Sequence, residues 1–368
     1  METPIRVLHV VVNMNRGGAE TLIMNLYRNI DRSKVQFDFL TCKEGVFDKE
    51  IQEMGGKIHR IPYITDVGHF RYIKALNEFF FTHNEYKIVH SHMDKMSGLV
   101  LRAAKKARIP VRISHSHNTS SEGSIAAKIY KNYAAIYIKT SATNLIACSK
   151  AAAEWLFNNK SNEVKILNNG IDYDKFSFKP QIRNDIRKTL KIDDKTLVLG
   201  HIGRFCEPKN HDFIIEIFKE LNRKRSNSIL ILVGDGPLKP KIEKKVNEYG
   251  LKDKVKFLGI RNDVEQVIQA FDLFVFPSFH EGLPLTLIEA QAAGLPCLIS
   301  KNITNEVDLG LGLVDYLPIT DINLWVNKIA NFSINNNRNI KKHIFIEKEY
   351  DITKIAASIQ EYYLRLAR

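Results

Sequence analysis

Two glutamates eight residues apart, Glu281 and Glu289, bracket the segment Pro277-Ser-Phe-His-Glu-Gly-Leu-Pro-Leu-Thr-Leu-Ile-Glu-Ala290. Proline suits a first helical turn, where its missing N–H costs no intrahelical bond. With Pro284 in that turn, Glu281 is expected just before a helix and Glu289 inside it. Eight residues at helical rise span about 12 Å. That matches the distance from sugar to ribose in a folded nucleotide sugar. The start of the helix would aim the amides of Leu285 and Thr286 at a diphosphate between them. The ordinary reading is a capping carboxylate and a solvated helix face.

Three more segments carry residue types suited to an anionic ligand. In Gly203-Arg204-Phe-Cys-Glu-Pro-Lys209-Asn-His211, a guanidinium and an ammonium lie five residues apart on a loop that opens a helix. Such a pair neutralises a diphosphate, arginine through paired hydrogen bonds and lysine as a point charge. Gly234-Asp-Gly-Pro-Leu238 is a glycine-rich turn at the carboxyl end of a strand, where open α/β sheets bind ligands. In Asn15-Arg-Gly-Gly-Ala-Glu20, two glycines between a strand and a helix let backbone approach a phosphate closely. This is not Gly-x-Gly-x-x-Gly, so the dinucleotide fingerprint is absent. Alone, each segment also reads as a turn or a solvated surface.

The elements that must hold these residues are short, β-branched, unalternating runs separated by helical patterns. Runs at Val7–Val12, Phe37–Leu40, Ile58–Ile61, Ile88–His90, Val111–Ser114, Leu145–Ala147 and Val164–Leu167 form one series. Runs at Thr196–Gly200, Ser228–Val233, Val255–Leu258, Leu273–Pro277 and Pro296–Ile299 form a second. Strands of this kind are parallel and buried on both faces, so two helix-wrapped parallel sheets are predicted, an α/β fold. A polar, charged stretch from Phe176 to Asp194 separates the series, with the hinge placed near residue 176. The expected domains are 1–176 and 177–350. Residues 351–368 form a helix with one apolar face that must pack on a domain, with a return to the first as one option.

A chain of 368 residues exceeds what one core usually serves. The net charge is +13 and uneven: 26 Lys and Arg against 17 Asp and Glu over residues 1–180, then 28 against 24. A basic first half suggests a diphosphate, a membrane surface or a nucleic acid, and charge alone does not choose. No run is long and apolar enough to span a bilayer, and the N-terminal run reads as a strand rather than a signal peptide. A cytoplasmic location is expected. Four scattered cysteines, Cys42, Cys148, Cys206 and Cys297, offer no paired motif for zinc or redox work.

In their order along the chain, Asn168-Asn169-Gly170-Ile171-Asp172, Gly203-Arg204-…-Lys209, Gly234-Asp-Gly-Pro-Leu and Glu281-x7-Glu289 resemble glycosyltransferase family 4. The segments Ile113-Ser-His-Ser-His-Asn118 and Ala147–Phe157 are similar to its branch in bacterial exopolysaccharide and capsule synthesis. The resemblance covers nearly the whole chain. It implies a GT-B fold, two Rossmann-like domains facing across a cleft, and a retaining transfer from a nucleotide-diphosphate sugar, with a UDP-sugar as the expected donor, without metal or cofactor. The acceptor it implies is a growing glycan, lipid-linked in some members.

By the same resemblance Gly203, Arg204 and Lys209 hold the diphosphate, with Gly234 and Gly282 beside them. Glu289 takes the ribose and Glu281 the transferred sugar. Ile260 and Arg261 line the base pocket, and Gly18 presents an amide. His117 is the catalytic histidine near the sugar, although Asn118 stands where the family carries aspartate. His90, His92, His115 and Asn169 are further cleft candidates. Asp172-Tyr-Asp174 mimics the Asp-x-Asp metal motif of other transferases but lies at the domain boundary, away from any donor-domain strand end.

Over Ile125–Lys139, Tyr130, Tyr133 and Tyr137 interleave with Lys128, Lys131 and Lys139, a pattern suited to an anionic membrane surface or to a half-buried helix. A sugar-nucleotide epimerase of the same architecture is the alternative activity. Nothing resembles a nucleic-acid-binding motif, so no nucleic-acid partner is expected.

Overall fold

The computed structural model of the chain describes residues 3–121, 123–335 and 337–368. They form two compact units, residues 3–170 with 349–368, and residues 171–348. The first is built on β1 (Ile5–Val10), β2 (Val35–Thr41), β3 (Ile58–Arg60), β4 (Ile88–Ser91), β5 (Val111–Ser116), β6 (Asn144–Ala147) and β7 (Lys165–Ile166). The second is built on β8 (Leu197–Ile202), β9 (Ser228–Val233), β10 (Val255–Gly259), β11 (Leu273–Phe276), β12 (Cys297–Ser300) and β13 (Val314–Leu317).

The sheet orders are β3-β2-β1-β4-β5-β6-β7 and β10-β9-β8-β11-β12-β13. Paired strands run parallel in both. Strands β2, β4, β8, β11 and β12 are buried along their whole length, as parallel strands covered on both faces are. In each unit the strand order reverses beside the first strand, and the crevice at that reversal is where such sheets take ligands.

All twelve apolar runs become strands, with small shifts at their ends. Strand β13 was not anticipated. Asp315 and Tyr316 interrupt its apolar run, and it lies at the sheet edge beside β12 with its residues only partly covered.

The polar stretch after residue 176 is no linker. It contains the helix Pro180–Thr189, which buries Arg183 and Arg187. Their guanidiniums bind the carbonyls of Gln269, Ala270 and Phe271 and the carboxylate of Asp272. Buried charge is tolerated because nearly every donor finds an acceptor. Phe176 already belongs to the second unit, its carbonyl accepting from Gln269 Nε2 at 2.9 Å. The division therefore falls after Gly170, six residues before the predicted hinge.

The helix Ile352–Leu366 belongs to the first unit. Ile352, Ile355, Ala356, Ile359 and Tyr363 enter the core that holds Val7, Leu22 and Phe37. Asp351 caps its start by accepting from the amides of Thr353 and Lys354. Gly170 permits the approach: a Cβ there would lie 2.6 Å from Ile355 Cδ1.

Candidate functional site

In the second unit, the predicted ligand residues gather at the carboxyl ends of β8, β9, β10 and β11. The loop after β8 carries Gly203, exposed Arg204 and half-buried Lys209. The loop after β9 is pressed against it. Phe205 donates its amide to the Asp235 carbonyl at 3.0 Å, and Leu238 donates to the Phe205 carbonyl at 3.0 Å. Gly234 takes φ +134°, and a Cβ there would lie 2.1 Å from the Gly203 carbonyl oxygen. Its own amide donates to the Gly259 carbonyl at 2.8 Å, so Gly234 packs one loop on another and has no amide left for a donor. Ile260 and Arg261 follow β10, both exposed, with Arg261 paired to Asp263 at 2.7 Å.

After β11 the chain passes through Glu281 and Gly282 to the helix Leu285–Ala292. Pro284 is the extended residue before that helix, not a member of its first turn. Residues 281–284 are therefore not helical, and the 12 Å figure, which took helical rise over all eight residues, does not describe this geometry. No side chain caps the helix start, so the first-turn amides of Leu285 and Thr286 have no intrahelical acceptor, and the Thr286 hydroxyl is buried without a partner.

Lys209 Nζ lies 2.7 Å from Glu281 Oε1, with both side chains largely covered. The same ammonium stands 4.8 Å above the Phe276 ring. Beneath this pair is His201, a residue the sequence reading passed over. Its Nδ1–H donates to the Val275 carbonyl at 2.8 Å, which leaves Nε2 bare and buried. A polar residue inside the run Leu197-Val-Leu-Gly-His-Ile202 was the available signal. Burial pushes the Glu289 carboxyl up to about 7, and the charge of Glu265 adds to the shift. Glu289 is thus poised between acid and carboxylate near neutrality.

In the first unit, Gly18 opens the helix Gly18–Asn29, exposed and with open space where a Cβ would be. Glu20 folds back over Gly17, where a Cβ would meet its Oε2 at 2.2 Å. All four predicted histidines of this unit stand at the carboxyl ends of β4 and β5, together with His9 of β1, which was not predicted. His9 Nδ1 lies 2.9 Å from His92 Nε2, and His92 Nδ1 lies 2.9 Å from His117 Nε2. His90 bridges the Tyr363 hydroxyl at 2.7 Å and His115 Nδ1 at 3.1 Å. Burial holds all five rings neutral, with His9 and His117 lowered to about 3.

Asp94 was also missed. At φ 45° it turns its carboxylate to the His117 amide at 2.9 Å and to the Asn118 side chain at 2.6 Å. Asn169 is buried in the same unit, with its Oδ1 unpartnered. The decoy carboxylates have structural partners: Asp172 caps the helix Tyr173–Phe176, and Asp174 pairs with Lys342.

Two sets of three histidines have nitrogens within 4.8 Å of one another, His9/His90/His92 and His92/His115/His117. No described helix is long and apolar enough to cross a membrane. The helix Ile125–Ile136 instead exposes a stripe of Ile125, Ile129, Tyr133 and Ile136. Tyr130 turns inward toward His69, so isoleucines rather than tyrosines dominate the outer face.

The family model "Glycosyl transferases group 1" matches residues 182–308, and "Glycosyltransferase Family 4" matches residues 16–175. The putative glycosyltransferase EpsF of Bacillus subtilis (strain 168) is 39% identical over 337 residues, covering 88% of this chain and 87% of that protein. The capsular polysaccharide biosynthesis glycosyltransferase CapH of Staphylococcus aureus is 27% identical, over 98% of this chain and 99% of its own. The UDP-Gal:alpha-D-GlcNAc-diphosphoundecaprenol alpha-1,3-galactosyltransferase of Escherichia coli is 28% identical over 76% of each chain. Among solved structures, Anabaena Alr3699/HepE in complex with UDP and glucose matches with a TM-score of 0.80 at 20% identity, over 98% of this chain and 99% of that one. At that identity the likeness concerns the fold.

Proposed function

The chain belongs to glycosyltransferase family 4 and has its GT-B fold, and from that premise we propose a retaining, metal-independent transfer from a UDP-sugar to a lipid-linked glycan in exopolysaccharide or capsule synthesis. The observation that carries the donor reading is the gathering of Arg204, Lys209, Glu281, the uncapped start of the helix Leu285–Ala292 and Glu289 at one sheet edge. Arg204, Lys209 and the helix amides take the diphosphate. Glu289 accepts from the ribose hydroxyls in its ionised form. Glu281 holds the transferred sugar, and Ile260 and Arg261 flank the base.

For a retaining reaction the acceptor attacks the face the nucleotide leaves. A donor phosphate oxygen takes the acceptor proton, while the cations stabilise the departing diphosphate. From the first unit, the resemblance adds Gly18 and His117 to the residues expected to take part. CapH and the diphosphoundecaprenol galactosyltransferase support the pathway and acceptor class, and HepE supports the UDP donor. The epimerase alternative finds no support among these relatives. Incubation with donor and no acceptor separates the two, since only an epimerase converts the donor alone.

The exposed isoleucine stripe, with Lys128, Lys131 and Lys139 beside it, suits an interfacial helix on an anionic membrane, where a lipid-linked acceptor would be met. Co-sedimentation with liposomes checks this: anionic vesicles should retain the protein, and equal behaviour with neutral vesicles would sink the idea.

A further inference from the structure

The five neutral histidines of the first unit form a ladder on one face of the sheet. His9 pairs with His90 across β1 and β4. His92 lies two residues beyond His90, and on β5, where Ile113 pairs with His90, His115 and His117 follow two and four residues further on. A neutral imidazole has one N–H and one bare nitrogen. The contacts His9–His92–His117 and Tyr363–His90–His115 use most of these groups, but His9 Nε2, His115 Nε2 and His117 Nδ1 stay buried without a partner. Unpaired buried polar atoms of this kind are uncommon and ask for a ligand.

We propose that His92, His115 and His117 bind one divalent transition-metal ion of the zinc class at the carboxyl edge of the first sheet. One nitrogen from each lies within 4.8 Å of the other two; His115 and His117 each bring a bare nitrogen, and His92, engaged by His9 and His117, exchanges one of those contacts for the ion. Zinc–nitrogen bonds of 2.0–2.1 Å require nitrogens about 3.3 Å apart, so the rings need close by about 1.5 Å at most. Three imidazoles suit zinc, cobalt, nickel or copper, and not the oxygen-seeking magnesium or calcium.

Burial already keeps the rings deprotonated, so no proton must leave before the ion enters. The deeper set, His9/His90/His92, is less suited, because His90 is held by Tyr363 and both His9 and His90 are sealed from solvent. His117 is partly exposed and offers an entry path. Asp94, bound to the His117 amide, brings a carboxylate beside the site. The ion would take up the free nitrogen of His117, the histidine also expected at the transfer site, and its binding is measured without any turnover assay.

The test titrates Co2+ into chelator-treated full-length protein and follows visible absorption, then displaces it with Zn2+. One ion per chain at low-micromolar affinity is expected, bleached by an equivalent of Zn2+ and untouched by Mg2+. His92→Gln and His117→Asn should each weaken binding at least about tenfold. His343→Asn, at an exposed histidine of the other unit, should not. No saturable band in the wild type, or an undiminished band in His117→Asn, overturns the proposal. If His92→Gln fails to fold, the half-exposed His117 position still decides.

Discussion

Glu289 and the Lys209–Glu281 pair are where single atoms govern the proposed donor site. A carboxyl titrating near 7 binds two hydroxyl donors only when ionised. Donor affinity should therefore rise from pH 6 to pH 8 and then level, and Glu289→Gln should flatten that profile as well as lower it. Calorimetry across the range checks both parts. Glu281 neutralises Lys209 and would lie beside the diphosphate. Glu281→Gln frees the ammonium, so UDP should bind as tightly or more tightly. The loss of one charged hydrogen bond to the sugar should meanwhile cost about 10- to 100-fold in turnover. Equal losses in UDP binding and turnover would move Glu281 from the sugar to the diphosphate.

Strand ends and the loops beyond them set the position of those atoms. Gly234 presses against the Gly203 carbonyl, and no side chain fits between. Gly234→Ala should lower stability by about 1–3 kcal/mol and displace the Arg204 loop, weakening donor binding. Thermal unfolding and donor titration together test this; a stable variant with unchanged affinity would contradict the packing role. At this scale the sequence was most readable. Runs such as Ser228–Val233 can only be buried parallel strands, and glycine after a strand marks a close approach. It was least readable where polar residues are buried. Arg183 and Arg187 look like solvated helix residues until Asp272 and three carbonyls surround them. His9, His201 and Asp94 went unseen because their partners come from strands far along the chain.

For the molecule as a whole, the buried histidines make a prediction about acid. Each has a folded-state pKa lowered below its unfolded value of about 6.5. Below pH 6.5 the unfolded chain takes up protons that the folded chain refuses, so stability falls as pH drops toward 3. Each ring contributes up to about 1.4 kcal/mol per pH unit. The buried acids Glu289 and Asp94 act in the opposite sense but are fewer. Melting temperature should drop steeply between pH 6.5 and 5, and a flat profile there would mean the ladder is not sealed as described. The central claim concerns the second unit as a donor-binding body. Its most direct test is calorimetric titration of a UDP-sugar into wild type, Lys209→Ala and Glu289→Ala, with folding of each confirmed by circular dichroism. Saturable wild-type binding, weakened about tenfold or more in each folded variant, is the predicted result; wild-type affinity in either variant would contradict the site.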